Sequence, residues 1–160
     1  MMTDNLTTQQ RSYAMSRIRS HGNLSTEQAL ASAMRKEGIS GWRRNVALIG
    51  KPDFVFRRCR VVVFVDGCYW HGCSKCKLAA KSNTDYWQPK IAKNMQRDLA
   101  IARELRKIGW RVVRVWEHEL KDRPDTCLRK IRSAIEREAR TEYFVTNPAS
   151  AARERARKKP

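Results

Sequence analysis

The chain has 160 residues, which is enough for one domain of ordinary size with a hydrophobic core. Its 34 Lys and Arg against 16 Asp and Glu give a formal net charge of +18, and 41% of its residues are hydrophobic. This apolar content excludes disorder throughout, and the longest apolar run, Val61 to Val65, is far shorter than the roughly 20 residues of a membrane-spanning helix. The first residues show neither a signal-peptide core nor a lipidation motif, so we expect a cytoplasmic protein. A folded, strongly basic chain most often binds a polyanion, and nucleic acid is the leading candidate.

Helical patterns come first along the chain. Residues 7–20 are typical of a short basic helix or arm. Ser25 and Gln28 form a capping box, which predicts a helix through about Lys36 that Gly38 ends.

The centre of the chain has the pattern of a sheet. Short apolar runs bounded by turn residues predict three strands, at 46–49, 53–56 and 61–65. Residues 57–60 are expected to form a hairpin turn between the second and third of them.

The remaining elements alternate between helix and strand. We expect a helix over 85–107, stopped by Gly109, then a strand over 110–116 and a last helix that starts at Pro124. The order α-β-β-β-α-β-α predicts an α/β fold with one mixed sheet flanked by helices. The expected organisation is an N-terminal arm (1–22), a folded domain (23–145) and a basic flexible tail (146–160).

Three of the five cysteines are bunched in the sequence. An odd number of cysteines in a reducing compartment argues against a disulfide framework. The spacing Cys68-x4-Cys73-x2-Cys76 suits thiolates that converge on one metal ion, and zinc requires a fourth ligand, either His71 or His118. We favour His118, because a structural zinc site commonly ties two distant elements together. The alternative is a loop whose free cysteines cluster by chance.

Carboxylates stand at the ends of two predicted strands. Asp53 begins one strand and Asp66 ends the next, so a hairpin between them would bring both within reach of one hard cation such as Mg²⁺. Glu27 could supply a third acid, and His71 is the nearby group that transfers protons at neutral pH. In phosphodiester hydrolysis such an ion stabilises the developing charge and activates water. The alternatives are that Asp53 is a turn residue and that Glu27 is a solvated helix residue.

Four sets of residues form motifs that are long and unusual enough to be specific. They are Gly50-Lys-Pro-Asp-Phe-Val, Phe64-Val-Asp-Gly-Cys-Tyr-Trp-His-Gly-Cys, Tyr86-Trp with Lys90-Ile-x-x-Asn94 and Arg97-Asp98, and Gly109-Trp-Arg-Val-x-x-Val-Trp-Glu-His118. Together they resemble the very-short-patch-repair (Vsr) DNA mismatch endonucleases. The resemblance implies a restriction-endonuclease-like (PD-(D/E)xK) core, whose element order matches the one predicted above. It also implies a magnesium-dependent enzyme that nicks double-stranded DNA 5′ to the thymine of a T:G mismatch. Because such mismatches arise when 5-methylcytosine deaminates, a cytosine-5 DNA methyltransferase is the expected companion in the cell.

The resemblance also assigns roles to residues. Asp53 corresponds to the metal-binding aspartate, Val65 to a main-chain carbonyl on the metal, His71 to the catalytic histidine and Glu27 to a helical glutamate of the active site. Some members carry Thr-His in place of Val65-Asp66, and a cysteine in place of His118. The structural zinc positions are Cys68, Cys73, Cys76 and His118. The residues expected to wedge into the duplex, probe it or read the mismatch are Met15, Tyr69, Trp70, Trp87, Lys90 and Asn94.

Spacing supports a DNA-contacting strip on the predicted helix. Trp87, Lys90, Asn94 and Arg97 are separated by three, four and three residues, so they share one face, where they could stack on bases, hold phosphate and bond base edges. The alternatives are that Trp87 packs at the helix start and that Trp70 caps the zinc loop.

Three hypotheses follow for function. The first is the mismatch-specific nicking endonuclease, the second a restriction-type nuclease that cuts paired DNA, and the third a zinc-braced DNA-binding protein without catalysis. For the first, a single asymmetric lesion does not require two-fold symmetry, so we expect a monomer; mismatch-repair proteins are candidate partners.

Overall fold

A mixed three-stranded sheet forms the centre of the molecule. The computed structural model describes residues 7, 9, 10, 24–76 and 84–146, and the side chains of residues 24, 25 and 141–146 are outside this description. Strand β1 (Phe54–Phe56) runs antiparallel to β2 (Val61–Asp66), and β2 runs parallel to β3 (Arg111–Trp116). The order β1-β2-β3 puts β2 in the middle. The mixed sheet is as predicted.

Helices pack on both faces of this sheet. A π-helical turn (Leu24–Gln28) leads into α1 (Ala29–Lys36), and the other helices are α2 (Thr84–Lys107), α3 (Glu117–Asp122) and α4 (Pro124–Thr146). None of the described helices has both the length and the apolar character needed to cross a membrane.

The alternation of side chains along β2 divides the core in two. Val61 and Val63 point to one face, where they pack with α1 and α4 residues such as Leu30 and Ile131. Val62 points to the other face, in a smaller cluster with α2. All three valines are fully buried, and burial of such a side chain stabilises the fold by about 1.5–3 kcal/mol. A strand covered on both faces is expected to be an apolar run.

Glycines end two helices as predicted. Gly38 has a φ of 67° and Gly109 a φ of 80°, the left-handed conformation that glycine adopts without steric cost. Beyond Gly38, the Ile39 N–H bonds back to the Met34 carbonyl at 2.8 Å. This pattern closes the carbonyl end of α1.

Two predictions in the first half of the chain were wrong. Residues 46–49 do not form a strand; the preceding residue Asn45 and the following Gly50 and Lys51 have positive φ values of 54°, 75° and 49°. A residue with positive φ departs from the extended conformation that strand pairing requires. The segment before β1 therefore pairs with β1 through one isolated bridge, between Arg43 and Val55. The predicted capping box also differs, because Ser25 lies inside the π-helical turn and not before it.

The N-terminal arm and the C-terminal tail stay predictions. Apart from residues 7, 9, 10 and 146, both segments lie outside the described residues, and so does Met15. In the second half, α3 is an element that sequence analysis did not predict.

Candidate active site and metal-ligand cluster

A cleft of about 770 Å³ lies where β2 ends, between the sheet and α2. Its walls come from the π-helical turn, the loop before β1, the end of β2, the cysteine-rich loop, α2 and β3. The structure thus brings together most of the predicted site residues, namely Glu27, Asp53, Val65, Asp66, Trp70, His71, Trp87, Lys90, Asn94 and Arg97. Glu27 and Arg97, which are 70 positions apart in the sequence, therefore line the same cleft.

Asp53 lies beside the end of β2, as the hairpin argument predicts. The backbone N–H of Val65 donates a hydrogen bond of 2.7 Å to Oδ2 of Asp53. Phe54 pairs with Val63, so the antiparallel register brings the residue before β1 to the last part of β2. Asp53 is half-buried and lines the cleft. A carboxylate offers hard oxygen atoms, the donor type that Mg²⁺ prefers.

Asp66 has a different partner from the one expected. Asp66 is buried, and Arg114 of β3 forms a bidentate ion pair with its carboxylate, with Nε 2.5 Å from Oδ2 and Nη2 2.6 Å from Oδ1. Burial opposes the charge of Arg114, but the carboxylates of Asp66 and Asp98 outweigh it and raise the pKa of this guanidinium. The cation that contacts Asp66 in this structure is Arg114, and a metal ion shared by Asp66 and Asp53 stays a prediction.

His71 is held by a carboxylate of α2. Its Nδ1 lies 2.5 Å from Oδ2 of Asp98 and 3.7 Å from Oδ1 of Asp66. Since Nδ1 is engaged, Nε2 is the nitrogen available to exchange a proton in the cleft. His71, Asp98 and Arg114 all line the cleft.

Sequence reasoning missed the roles of Asp98 and Arg114, although signals existed. Asp98 follows Asn94 by four residues, so the two share a helix face. Arg114 shares a strand face with Val112, which packs toward α2; a charge at such a position calls for an opposite charge nearby.

Glu27 is a buried acid of the π-helical turn. It is 6% exposed, forms an ion pair with Arg44, and lines the cleft. Its position agrees with the expectation that Glu27 is a third acid of the cleft. Its burial disagrees with the alternative that it is a solvated helix residue.

Four aromatic rings pack together beside the cleft; Trp70 and Trp87 line it, whereas Tyr69 and Tyr86 do not. Trp70 lies 5.0 Å from Tyr69 and 5.6 Å from Trp87 between ring centroids, and Tyr86 lies 4.9 Å from Trp87. Trp87 is 7% exposed, which fits the alternative that it packs at the start of the helix. Tyr69 and Trp70 are half-buried. The Lys90 ammonium lies 5.2 Å from the Trp87 ring centroid, a cation–π distance.

Asn94 and Arg97 continue the strip along α2. Asn94 donates a hydrogen bond of 3.1 Å to the main-chain carbonyl of Trp70. It therefore braces the loop that carries the aromatic pair. Arg97 is exposed at the cleft margin, with Nη2 3.6 Å from Asp98.

The cysteine-rich loop folds into a compact set of metal-ligand atoms. One atom from each of Cys68, Cys73, Cys76 and His118 lies within 4.8 Å of those from the others. His118 Nδ1 is 3.2 Å from the Cys68 sulfur and 3.6 Å from the Cys73 sulfur. Three thiolates and one imidazole fit a structural zinc ion. The histidine brought to the cysteines is His118, whereas His71 faces the cleft.

The thiols of this set differ in their environments. Burial raises the pKa of Cys68 to about 12. At Cys73 burial acts in the same direction, but N–H groups of Cys76 and Lys75 and the neighbouring thiols lower its pKa. Nε2 of His118 is buried and lacks a hydrogen-bond partner within the described structure. A metal ion on these ligands would replace their protons.

Comparison with known proteins identifies the family. The family model of the DNA mismatch endonuclease Vsr matches residues 3–78. The chain is 37% identical over 134 residues to the type II nicking enzyme V.NmeDIP of Neisseria meningitidis serogroup C, covering 82% of this chain and 90% of that one. It is 38% identical over 142 residues to V.NmeAIP of N. meningitidis serogroup A (84% and 100% covered), and 39% identical over 99 residues to the DNA mismatch endonuclease Vsr of Escherichia coli K12 (61% and 63% covered). The chain therefore belongs to the Vsr endonuclease family, and it is an endonuclease that acts on DNA.

Proposed function

We propose that this endonuclease nicks one strand of double-stranded DNA on the 5′ side of the thymine in a T:G mismatch and so starts very short patch repair. The observation that carries the proposal is the cleft itself. The cleft is lined by a carboxylate that could bind a metal ion (Asp53) and by His71, which contacts the carboxylate of Asp98. Aromatic and basic side chains line the same cleft, namely Trp70, Trp87, Lys90 and Arg97. The names of the relatives, a mismatch endonuclease and nicking enzymes, favour the same activity.

Magnesium suits the oxygen ligands beside β2. Asp53 and the main-chain carbonyl of Val65 would hold it. When bound, such an ion stabilises the charge that develops on the phosphate and makes water easier to deprotonate. Asp66 is not needed for this shell, because Arg114 already holds both of its oxygens.

His71 is the residue proposed to move the proton. Asp98 holds Nδ1, so the ring is oriented with Nε2 left to accept a proton from the water that attacks the phosphodiester. Glu27, ion-paired with Arg44, contributes an acid at another wall of the cleft.

The aromatic cluster is suited to opening a weakened duplex. We propose that Tyr69 and Trp70 wedge beside the mismatch, with the buried Trp87 supporting them from below. Unstacking costs a few kcal/mol per step and costs least where a pair is already mismatched. This difference favours damaged sites. Lys90 and Arg97 would hold phosphate.

The Cys68, Cys73, Cys76 and His118 set is proposed to bind zinc as a structural ion. It would fasten the loop that carries Tyr69, Trp70 and His71 to the start of α3. Zinc would thus shape the cleft without entering the reaction.

The setting of the enzyme follows from the proposed substrate. It would act as a monomer in a bacterial cytoplasm, alongside a cytosine-5 DNA methyltransferase whose product deaminates to thymine, and mismatch-repair proteins are candidate partners.

A single-turnover assay on an end-labelled duplex tests the proposal. With Mg²⁺ present, we expect one cut in the thymine-bearing strand, 5′ to the mismatched base. Cleavage of both strands of a fully paired duplex would favour the restriction-type alternative.

A further inference from the structure

Arg114 connects three side chains of the cleft. Its Nε and Nη2 contact the two oxygens of Asp66 at 2.5 and 2.6 Å. Nη2 also lies 3.1 Å from Oδ2 of Asp98, and this same oxygen is 2.5 Å from Nδ1 of His71. One guanidinium from β3 therefore reaches, through a carboxylate of α2, the histidine of the cysteine-rich loop.

Without Arg114 this group of side chains would be unstable as arranged. Ligand atoms of Asp66, His71 and Asp98 lie within 4.8 Å of one another. The two carboxylate side chains are only 3% and 12% exposed, so water screens their repulsion poorly. The Arg114 guanidinium contacts both acids and so offsets their repulsion directly, whereas Arg97 reaches Asp98 and lies 3.6 Å from it.

The geometry points to Arg114 as a positioning residue for His71, an inference that rests on the proposed function of His71. The bidentate bond to Asp66 fixes the plane of the guanidinium, and Nη2 in that plane fixes Oδ2 of Asp98. Asp98 in turn fixes the imidazole ring. Asp66 is then an anchor for Arg114 and not a ligand of the catalytic ion. A lysine could restore the charge but not the fork that contacts both acids.

A competing role for Arg114 is direct contact with a DNA phosphate. Its side chain is 27% exposed and lines the cleft, so the two roles must be separated by experiment. A phosphate contact would strengthen binding and add to its salt dependence. A positioning role would act on the chemical step, and misplacement of a reacting group by about 1 Å can cost about a hundredfold in rate.

The test compares Arg114→Met with Arg111→Met. Arg111 is on the same strand, forms an ion pair with Glu138, and is absent from the lining of the cleft, so it controls for loss of an ion pair from β3. We expect Arg114→Met to lower kcat about 10- to 100-fold with KM and the salt dependence of DNA binding unchanged. Arg114→Lys should recover little of this loss, and Arg111→Met should keep kcat within about twofold. A raised KM with kcat preserved, or full activity of Arg114→Lys, would overturn the inference.

A spectroscopic readout keeps the inference testable apart from activity. In the unmodified protein, the His71 Nδ1–H proton should resonate downfield of the amides, because it is bonded to Asp98. We expect this resonance to disappear or move in Arg114→Met and to stay in place in Arg111→Met; an unchanged resonance in both would refute the positioning role. The resonance can be measured whether or not the unmodified enzyme nicks a T:G duplex. Failure to nick that duplex would count against the proposed function alone. Should Arg114→Met not fold, Arg114→Lys carries the same test because it keeps the charge: a displaced His71 resonance supports the inference, and an unchanged resonance refutes it.

Discussion

Substitution of Gly50 by alanine should destabilise the wall of the cleft that carries Asp53. Gly50 has a φ of +75°, and an added Cβ would overlap Cγ2 of Ile101 and lie 3.2 Å from its Cδ1. The left-handed conformation costs an alanine about 1–2 kcal/mol. Ile101 is β-branched, with few rotamers to choose from, and packs against the fully buried Leu105 cluster. Overpacking at such a site adds about 1–3 kcal/mol, so we expect a loss of roughly 2–5 kcal/mol in the free energy of unfolding.

Gly38→Ala is the matched control for this measurement. Gly38 also has positive φ, at +67°, but an added Cβ would meet nothing within 4 Å. Urea unfolding of both variants therefore separates backbone strain from overlap with Ile101, and the difference between them should be about 1–3 kcal/mol. Gly50→Ala should also nick more slowly than Gly38→Ala at a temperature where both are folded, because Gly50 is three residues before Asp53. Equal stability of the two variants would refute the close approach of this loop to α2.

Three further predictions concern the metal ions and the DNA. Asp53→Asn should reduce nicking about a thousandfold while DNA affinity measured by gel shift stays the same, since a metal ligand supplies several kcal/mol to the transition state; retained turnover would contradict the role of Asp53. Cys73→Ser should release bound zinc, measured by atomic absorption, and lower the melting temperature by about 10 °C, whereas Cys59→Ser, outside the cluster, should keep the zinc. A folded protein that contains no zinc would count against the ligand set. Trp70→Ala should lower the preference for T:G over T:A duplexes about tenfold, and Tyr86→Ala, an exposed ring of the same cluster, should lower it less; an unchanged preference in Trp70→Ala would exclude the wedge.

Local signals were enough to predict most elements of the fold. Gly38 and Gly109 end helices because their backbone conformations suit few other residues, and the run from Val61 is apolar because both faces of β2 are covered. The failed strand at 46–49 shows the limit of such signals. Its residues are apolar enough, but Asn45 and Lys51 on either side adopt positive φ. Asparagine favours this conformation without requiring it, and lysine seldom adopts it, so the sequence does not identify the two positions.

The site was predictable where it depends on neighbours in the chain. Asp53 lies beside the end of β2 because a short hairpin joins β1 to β2. Of the four residues in the cysteine and histidine cluster, the three cysteines lie in one loop. The partner of Asp66 was not predictable in this way. Arg114 is 48 residues away, on β3, and the parallel register of β3 with β2 brings it beside Asp66. Sequence analysis therefore predicted a carboxylate near a metal ion at Asp66 and did not predict the guanidinium that contacts it.

The most direct test of the proposed function is nicking of three otherwise identical duplexes that carry T:G, T:A or C:G at one position, each with and without Mg²⁺. We predict a single cut, 5′ to the thymine, in the T:G duplex with Mg²⁺ only. Equal cutting of all three duplexes would contradict mismatch recognition, cutting without a divalent metal would contradict the role of Asp53, and no cutting under any condition would contradict the proposed reaction.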